Sequence, residues 1–156
     1  MRPGPMPLIR LADLDDTTEV ARITDAAYVV YMPRLGRKPM PMLDDHAARI
    51  ARGEVHLLEG DGGVLGLISL VEEPGALLIF SIAVAPRAQG RGIGKALIGF
   101  AEQQARQLGL PVLRLYTHVL MTENQAIYHH LGFVETERRD EGEFSRVFME
   151  KRLSPA

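Results

Sequence analysis

The chain contains no cysteine and no tryptophan among its 156 residues. Without cysteine there are no disulfide bonds, no thiolate metal sites and no cysteine nucleophile, which agrees with a cytoplasmic location. The chain also lacks an excess of one charge, since 18 basic and 20 acidic residues give a net charge of −2. A nucleic-acid-binding protein presents a broad basic face, so we expect no nucleic-acid partner.

Long hydrophobic runs are absent as well. The longest extends over residues 76–85, is interrupted by Ser81 and is too short to cross a bilayer. Residues 1–7 lack the apolar centre of a signal peptide, and we interpret them as a frayed tail. We therefore expect no membrane partner. We predict that residues 8–153 form a single domain, because a chain of this length buries one core.

Apolar periodicity and turn residues predict an α/β fold. The strands at 77–84 and 112–117 should be parallel, because a helix joins them in a right-handed crossover. The other strands should be antiparallel, giving a mixed, mostly antiparallel central sheet with helices on both faces. We expect strands at 8–11, 55–59, 64–71, 77–84, 112–117, 133–139 and 144–151, and helices at 16–30, 43–52, 93–108 and 123–131.

A glycine-rich, basic stretch lies between the strand at 77–84 and the next helix. Glycine lets backbone N–H groups converge on an anion because no Cβ is in the way. The helix adds free N–H donors and the positive end of its dipole. This order indicates a phosphate-binding site, and a tight turn that needs glycine only for steric reasons is the alternative. The stretch consists of Gln89, Gly90, Arg91, Gly92, Ile93, Gly94 and Lys95.

Two common phosphate-binding motifs do not fit this stretch. A Walker loop would require glycine at Gln89 and a hydroxyl residue at Ala96. A dinucleotide-binding fingerprint would require the third glycine one residue later, and an acidic residue that region 112–117 does not supply. A different nucleotide-phosphate enzyme is therefore disfavoured.

Two segments together resemble the GCN5-related N-acetyltransferase (GNAT) family. The acetyl-CoA signature of that family is Gln or Arg, two residues, Gly, one residue, then Gly or Ala, and residues 89–94 match it. Downstream, Tyr128, Gly132 and Phe133 match its Tyr-x-x-x-Gly-Phe segment. The two segments are specific as a pair at this separation, and the resemblance covers nearly the whole chain.

The resemblance implies an N-acetyltransferase that moves an acetyl group from acetyl-CoA directly to a primary amine of a small molecule or peptide. It implies that the backbone of residues 89–94 holds the pyrophosphate, with Arg91 or Lys95 adding charge. The main chain of residues 82–84 would pair with the pantetheine arm, and the Val84 N–H would steady the developing oxyanion. The cofactor-binding residues expected on this basis are Ile82, Ala83, Val84, Gln89, Gly90, Arg91, Gly92, Ile93, Gly94, Lys95 and Asn124.

Tyr128 matches the general acid of the family, and packing beside Gly132 and Phe133 is the alternative role. The family commonly has Asn seven residues before this tyrosine, where this chain has Met121. We carry Asn124 over as a pantetheine contact, with a helix cap as its alternative.

The general base is not assigned. Many relatives place a carboxylate on the strand that matches 77–84, where this chain has Phe80 and Ser81. Glu72, Glu73 and His118 are candidates, although each also suits a turn or a strand end. A non-catalytic acyl-CoA-binding sensor or partner module is therefore the alternative function.

Three further expectations concern other partners. The basic loop at 31–39 either recognises an anionic group on the acceptor or simply connects two helices. The strand at 144–151 is expected to be an exposed edge of the sheet, which offers a surface for a homodimer. No metal is predicted, because the five histidines lack metal-ligand spacing; they are His46, His56, His118, His129 and His130.

Overall fold

The computed structural model describes residues 8–141 and 144–154, so the predicted tail at 1–7 lies outside the described residues. The observed elements lie close to the expected ones. They are β1 Leu8–Leu11, α1 Thr17–Tyr28, α2 Met32–Leu35, α3 His46–Ala51, β2 Val55–Gly60, β3 Gly63–Glu73, β4 Ala76–Val84, α4 Ile93–Gln107, β5 Val112–His118, α5 Thr122–His130, β6 Val134–Glu141 and β7 Phe144–Arg152.

The strands form one seven-stranded sheet in the order β1-β2-β3-β4-β5-β7-β6. The pairs β1–β2, β2–β3, β5–β7 and β6–β7 are antiparallel. Strands β4 and β5 are parallel, paired from Ala76 with Val112 to Ile79 with Leu115. The predicted fold class, a mixed and mostly antiparallel sheet with one parallel crossover, is confirmed.

The chain divides into two compact units. Of the described residues, one unit contains those up to Ser69 together with Ser81–Leu97, and the other contains Leu70–Phe80 and those from Ile98 onwards. The single domain expected over 8–153 stays a prediction. Among the described residues, no helix has both the length and the apolar character needed to span a bilayer.

In the first unit, helices lie on both faces of the sheet. Leu67 on β3 belongs to the core cluster that includes α1. Gly66, its neighbour in sequence, faces the opposite side, where a Cβ would come 2.9 Å from Ile93 and 3.2 Å from Leu97 of α4. The alternation of side chains along β3 therefore separates α1 from the start of α4. The α1-side cluster consists of Ala12, Val20, Ile23, Ile50, Val55, Leu57, Leu67 and Ala83.

In the second unit, β5 contributes alternate buried side chains to the core. Leu113 and Leu115 are buried on one face. Arg114, on the other face, donates hydrogen bonds to Glu73 at 2.8 Å and to Glu150 at 3.0 Å. These ion pairs join β3, β5 and β7 on this face of the sheet.

The loop expected at 31–39 is only partly irregular. Residues Met32–Leu35 form the short helix α2, and Met40–Leu43 form a 3-10 turn. Proline stands in the first turn of each, where its missing N–H would have no helical partner. Gly36, with φ of 73°, ends α2 in the left-handed region.

The expectation that the strand at 144–151 is a sheet edge is wrong. β7 lies between β5 and β6, and the edges are β1 and β6. β6 suits an edge because it is rich in charge, with Glu135, Glu137, Arg138 and Arg139 exposed. The homodimer stays a prediction, but the edge strand on which that prediction was based is not an edge.

Acidic residues cap the short 3-10 turn that leads into α1, whereas Asp16 makes no side-chain capping bond to α1 itself. Asp13 and Asp16 form a reciprocal capping box around a 3-10 turn. Arg10 on β1 donates two hydrogen bonds to the Asp16 carboxylate, at 2.8 and 2.9 Å. These bonds hold the pKa of the Asp16 carboxyl below its ordinary value. The charged form of Asp16 therefore stabilises the folded state.

We predict that Asp16→Asn lowers the free energy of unfolding at neutral pH by on the order of 1 kcal/mol. Because the folded-state pKa is depressed, the contribution of Asp16 is present above its unfolded pKa and is lost as the pH falls below about 4. Thermal unfolding of the variant and the wild type should therefore converge in acid. Asp15→Asn, in the same turn, is the control. A difference between wild type and Asp16→Asn that stays constant down to about pH 2 would contradict this interpretation.

Candidate functional site

The glycine-rich loop depends on two left-handed residues. Gly90 has a φ of 79° and Gly92 a φ of 78°, and a Cβ at either position would meet nothing within 4 Å. The steric alternative therefore accounts for these two glycines, since residues with a Cβ avoid this region. Gly94 has no positive φ, and its nearest neighbour, Val84, would lie 4.0 Å from a Cβ. The fold therefore does not require glycine at position 94. Because glycine has no side chain, the backbone of this turn is open to approach there.

The loop ends where α4 begins, with free backbone donors at the junction. The N–H of Ala96 donates to the carbonyl of Gly92 at 3.0 Å. The N–H groups of the preceding first turn have no partner inside the helix. Left-handed glycines beside such donors form a concave group of N–H bonds that suits an anion. The local geometry therefore fits the expected phosphate site.

The loop side chains add positive charge. Gln89, Arg91 and Lys95 are exposed. Neither Arg91 nor Lys95 forms an ion pair with any residue in the described ranges. By contrast, several other arginines of the chain pair with a carboxylate, for example Arg49 with Asp44 and Glu54. Both loop cations therefore remain suited to an external anion.

Sequence reasoning assigned no role to Arg87, which supports this loop. Its guanidinium donates to the carbonyl oxygens of Gly62 at 3.2 Å and Val64 at 3.0 Å. These bonds attach the start of the loop to the turn between β2 and β3. The only signal in the sequence was a basic residue near a glycine turn.

The end of β4 presents its peptide groups to two sides. The Ala85 N–H donates to the Leu65 carbonyl on β3 at 2.8 Å. The Ala83 carbonyl oxygen also lies near β3, 3.0 Å from where a Cβ on Gly66 would be. Peptide groups alternate along a strand, so those of Ile82 and Val84 face away from β3.

One of these outward groups has a partner that sequence reasoning missed. The hydroxyl of Tyr28, the last residue of α1, donates to the Ile82 carbonyl at 2.8 Å. The Tyr28 ring packs against the α1-side core cluster. Apolar periodicity predicted this helix, but nothing in the sequence indicated contact with a residue 54 positions away.

In the second unit, Tyr128 lies near the end of α5 and is half-buried. Its ring meets that of buried Phe133 edge-on at 5.9 Å between centroids. The Phe133 N–H donates back to the Tyr128 carbonyl at 3.0 Å. Gly132, with φ of 101°, makes this return possible. The packing role of the Tyr-x-x-x-Gly-Phe segment is thus observed, and it also holds Tyr128 in one position.

Gln125 secures the start of α5. Its side-chain amide donates to the carbonyls of His118 at 3.2 Å and Val119 at 3.1 Å. Asn124 is half-buried in the first turn, and the helix cap is the buried Met121. The alternative role of Asn124 as the helix cap is therefore wrong. Gln125 is a further supporting residue that the sequence did not reveal.

Two of the three candidate bases have structural partners. Glu73 accepts the hydrogen bond from Arg114. The Nδ1 atom of His118 accepts from the Leu120 N–H at 3.1 Å, in the turn before α5. Glu72 is exposed. Within the described residues, no group of three or more potential ligands forms a metal site.

Comparison with known proteins then decides the family. The profile of the acetyltransferase (GNAT) family matches residues 19–133. The chain belongs to this family. The matched range includes the glycine-rich loop, Tyr28 and Tyr128, so the resemblance inferred from the two segments is confirmed.

Individual GNAT relatives are distant. A mycothiol acetyltransferase of Streptomyces avermitilis is 29% identical over 127 residues, which cover 79% of this chain and 41% of that protein. The uncharacterized N-acetyltransferase YjgM of Escherichia coli is 27% identical over 139 residues, 81% of each chain. The chain spans less than half the length of the mycothiol acetyltransferases that it matches.

A solved structure shares the fold. The PaiA N-acetyltransferase of Thermoplasma acidophilum, in complex with coenzyme A, superimposes with a TM-score of 0.78 at 18% identity. The match covers 96% of this chain and 100% of the other. At this identity the likeness establishes the GNAT fold.

We predict that Gly92→Ala weakens coenzyme A binding by about tenfold or more, equivalent to about 1.4 kcal/mol. Alanine at φ of 78° strains the backbone of the loop, and relief of that strain would move the N–H groups that face the anion. Calorimetric titration with coenzyme A measures the affinity.

Gly53→Ala is the matched control for this test. Gly53 has a φ of 76° and open space around a Cβ, so the substitution carries the same backbone strain of roughly 1–2 kcal/mol. It should lower thermal stability equally without changing the affinity. Equal coenzyme A affinity in the two variants would show that the loop is not part of the binding site.

Proposed function

We propose that this GNAT protein transfers the acetyl group of acetyl-CoA directly to a primary amine of a small molecule or peptide. The observation that carries the proposal is the continuous path from the outward edge of β4 to the loop with left-handed Gly90 and Gly92. This path offers polar backbone groups to an extended arm, then a cluster of N–H donors to a phosphate.

The donor is held mainly by backbone in this proposal. Residues 90–94 and the start of α4 bind the pyrophosphate, and Arg91 and Lys95 add charge. β4 continues to Val84, beyond its last described parallel pair at Ile79. The main chain of residues 82–84, and Asn124 on α5, are the proposed pantetheine contacts. The residues present therefore suit coenzyme A, which carries the acetyl group as a reactive thioester.

Val84 acts on the reacting carbonyl. Its N–H, which faces away from β3, donates to the thioester oxygen as negative charge develops there. The amine nitrogen bonds to the acetyl carbon as the bond from that carbon to sulfur breaks. Backbone donors of this kind are effective because they are already oriented before the reaction.

Tyr128 protonates the departing sulfur. A free phenol has a pKa near 10 and a free thiol a pKa near 8.5, so the transfer requires a poorly solvated thiolate or a more acidic phenol. Packing against Phe133 and the bonds from Gln125 to the turn before α5 fix the position of Tyr128. Fixed geometry is what general-acid catalysis needs first.

The proton on the amine has no dedicated acceptor in this proposal. β4 carries Phe80 and Ser81 where a carboxylate would serve, and Glu73 and His118 already accept hydrogen bonds. Water removes the proton, or the amine arrives neutral. The lack of a carboxylate on β4 also favours the second candidate, a non-catalytic acyl-CoA-binding module. The presence of Tyr128 argues against that candidate.

We expect acetyl-CoA and free coenzyme A to raise the unfolding temperature, with ATP as the control. A ligand at about a hundred times its Kd adds about 2.7 kcal/mol to the free energy of unfolding. Differential scanning fluorimetry measures the shift. If neither acetyl-CoA nor free coenzyme A raises the unfolding temperature, the proposed donor site is wrong. An equal increase with ATP would instead support a nucleotide-phosphate enzyme.

We predict that Tyr128→Phe lowers kcat about 100-fold or more, since a positioned general acid contributes about 10²–10⁴-fold. The affinity for acetyl-CoA should stay unchanged. Release of free thiol across a panel of primary amines measures turnover. Tyr116→Phe, a second tyrosine of the same unit whose ring packs between Phe80 and Phe148, is the matched control. Binding without thiol release by the wild type would instead support the non-catalytic module.

A further inference from the structure

Tyr28 occupies an unusual position on the donor strand. Its hydroxyl bonds to the outward carbonyl of Ile82 at 2.8 Å, while its ring packs on the core of the first unit. Both the hydroxyl and the ring of Tyr28 are therefore held in place. The ring of Tyr31 lies beside it, with 6.3 Å between centroids and an interplanar angle of 54°.

The order of the outward-facing peptide groups along β4 indicates a role for Tyr28. A donor arm that starts at the loop of residues 89–94 and runs back along the strand meets Val84 first. The next outward residue is Ile82, about 7 Å further along the strand at about 3.3 Å per residue. At Ile82 the carbonyl already accepts a hydrogen bond from Tyr28. The phenol therefore stands where a longer acyl chain would continue along the edge.

We propose that Tyr28 limits the acyl group of the donor to acetyl. This inference rests on the proposed function, because it assumes that coenzyme A thioesters bind along β4. A longer acyl chain must displace the phenol, which breaks the bond to Ile82 and pulls the ring from its core contacts. Tyr28 is thus a specificity-determining residue for the donor, and the residues at the loop that hold the pyrophosphate take no part in this selection.

The test compares acyl chain lengths by calorimetric titration with coenzyme A, acetyl-CoA, butyryl-CoA and hexanoyl-CoA. The wild type should bind butyryl-CoA at least about tenfold more weakly than acetyl-CoA, the range in which pockets discriminate by chain length. Hexanoyl-CoA should bind no better than butyryl-CoA. Free coenzyme A reports the affinity without any acyl group.

Two variants shorten the side chain, Tyr28→Leu and Tyr28→Ala. Either should bind butyryl-CoA as tightly as acetyl-CoA, with both affinities compared with that of the same variant for free coenzyme A. Tyr31→Leu is the matched control and should keep the discrimination of the wild type. Thermal unfolding checks that each variant is folded.

Several outcomes would overturn the inference. Equal wild-type affinity for all three thioesters would do so, even if neither Tyr28 variant folds. A folded Tyr28→Leu that discriminates like the wild type would do so as well. If free coenzyme A itself does not bind the wild type, the proposed function fails first, and that result is distinct from loss of chain-length selection alone.

Discussion

The alternation of peptide groups along β4 is the constraint on which the donor side of this protein depends. A strand inside a sheet uses both sets of its peptide groups for pairing. At its end β4 directs Ala83 and Ala85 to β3 and leaves Ile82 and Val84 facing outward. A shift of one residue would reverse the two sets and present different groups to the donor. The register between β3 and β4 therefore decides which amide is available for the proposed catalysis.

Backbone handedness then shapes the loop between β4 and α4. Gly90 and Gly92 take the left-handed conformation, and the chain enters α4 with its first N–H groups unbonded within the helix. Arg87 attaches this turn to the neighbouring hairpin through two carbonyls. The anion binding proposed for this loop thus depends on backbone geometry, with Arg91 and Lys95 as additional charge.

The chemistry proposed for Tyr128 depends on packing in the second unit. Phe133 is fully buried, and Gly132 lets the chain turn so that Phe133 lies edge-on to the tyrosine. The packing role of this segment is therefore compatible with the proposed catalytic role, because the same contacts hold the phenol in place. Glu73 and His118, two candidates for a base, act instead in an ion pair and in a turn. The proposed mechanism accordingly depends more on the general acid and the backbone donor.

The sequence by itself determined the family, the order of elements and the parallel crossover. These come from local signals: apolar periodicity, turn residues and the spacing of glycines from 90 to 94. It could not show that β7 is interior, because an alternating strand pattern carries no information about its neighbours. It also missed the helical turns after Tyr31, where proline stands in the first turn of each.

Only the tertiary structure decided which groups meet at a distance. Tyr28 and Ile82 are separated by 54 positions, and their contact depends on how α1 packs on the sheet. The same is true of the pairing of Glu73 with Arg114, which engages a candidate base. Local propensities act over a few residues, whereas these contacts are set by the burial of whole faces against one another. Chemistry that depends on such contacts is therefore a property of the fold, and the motifs alone do not contain it.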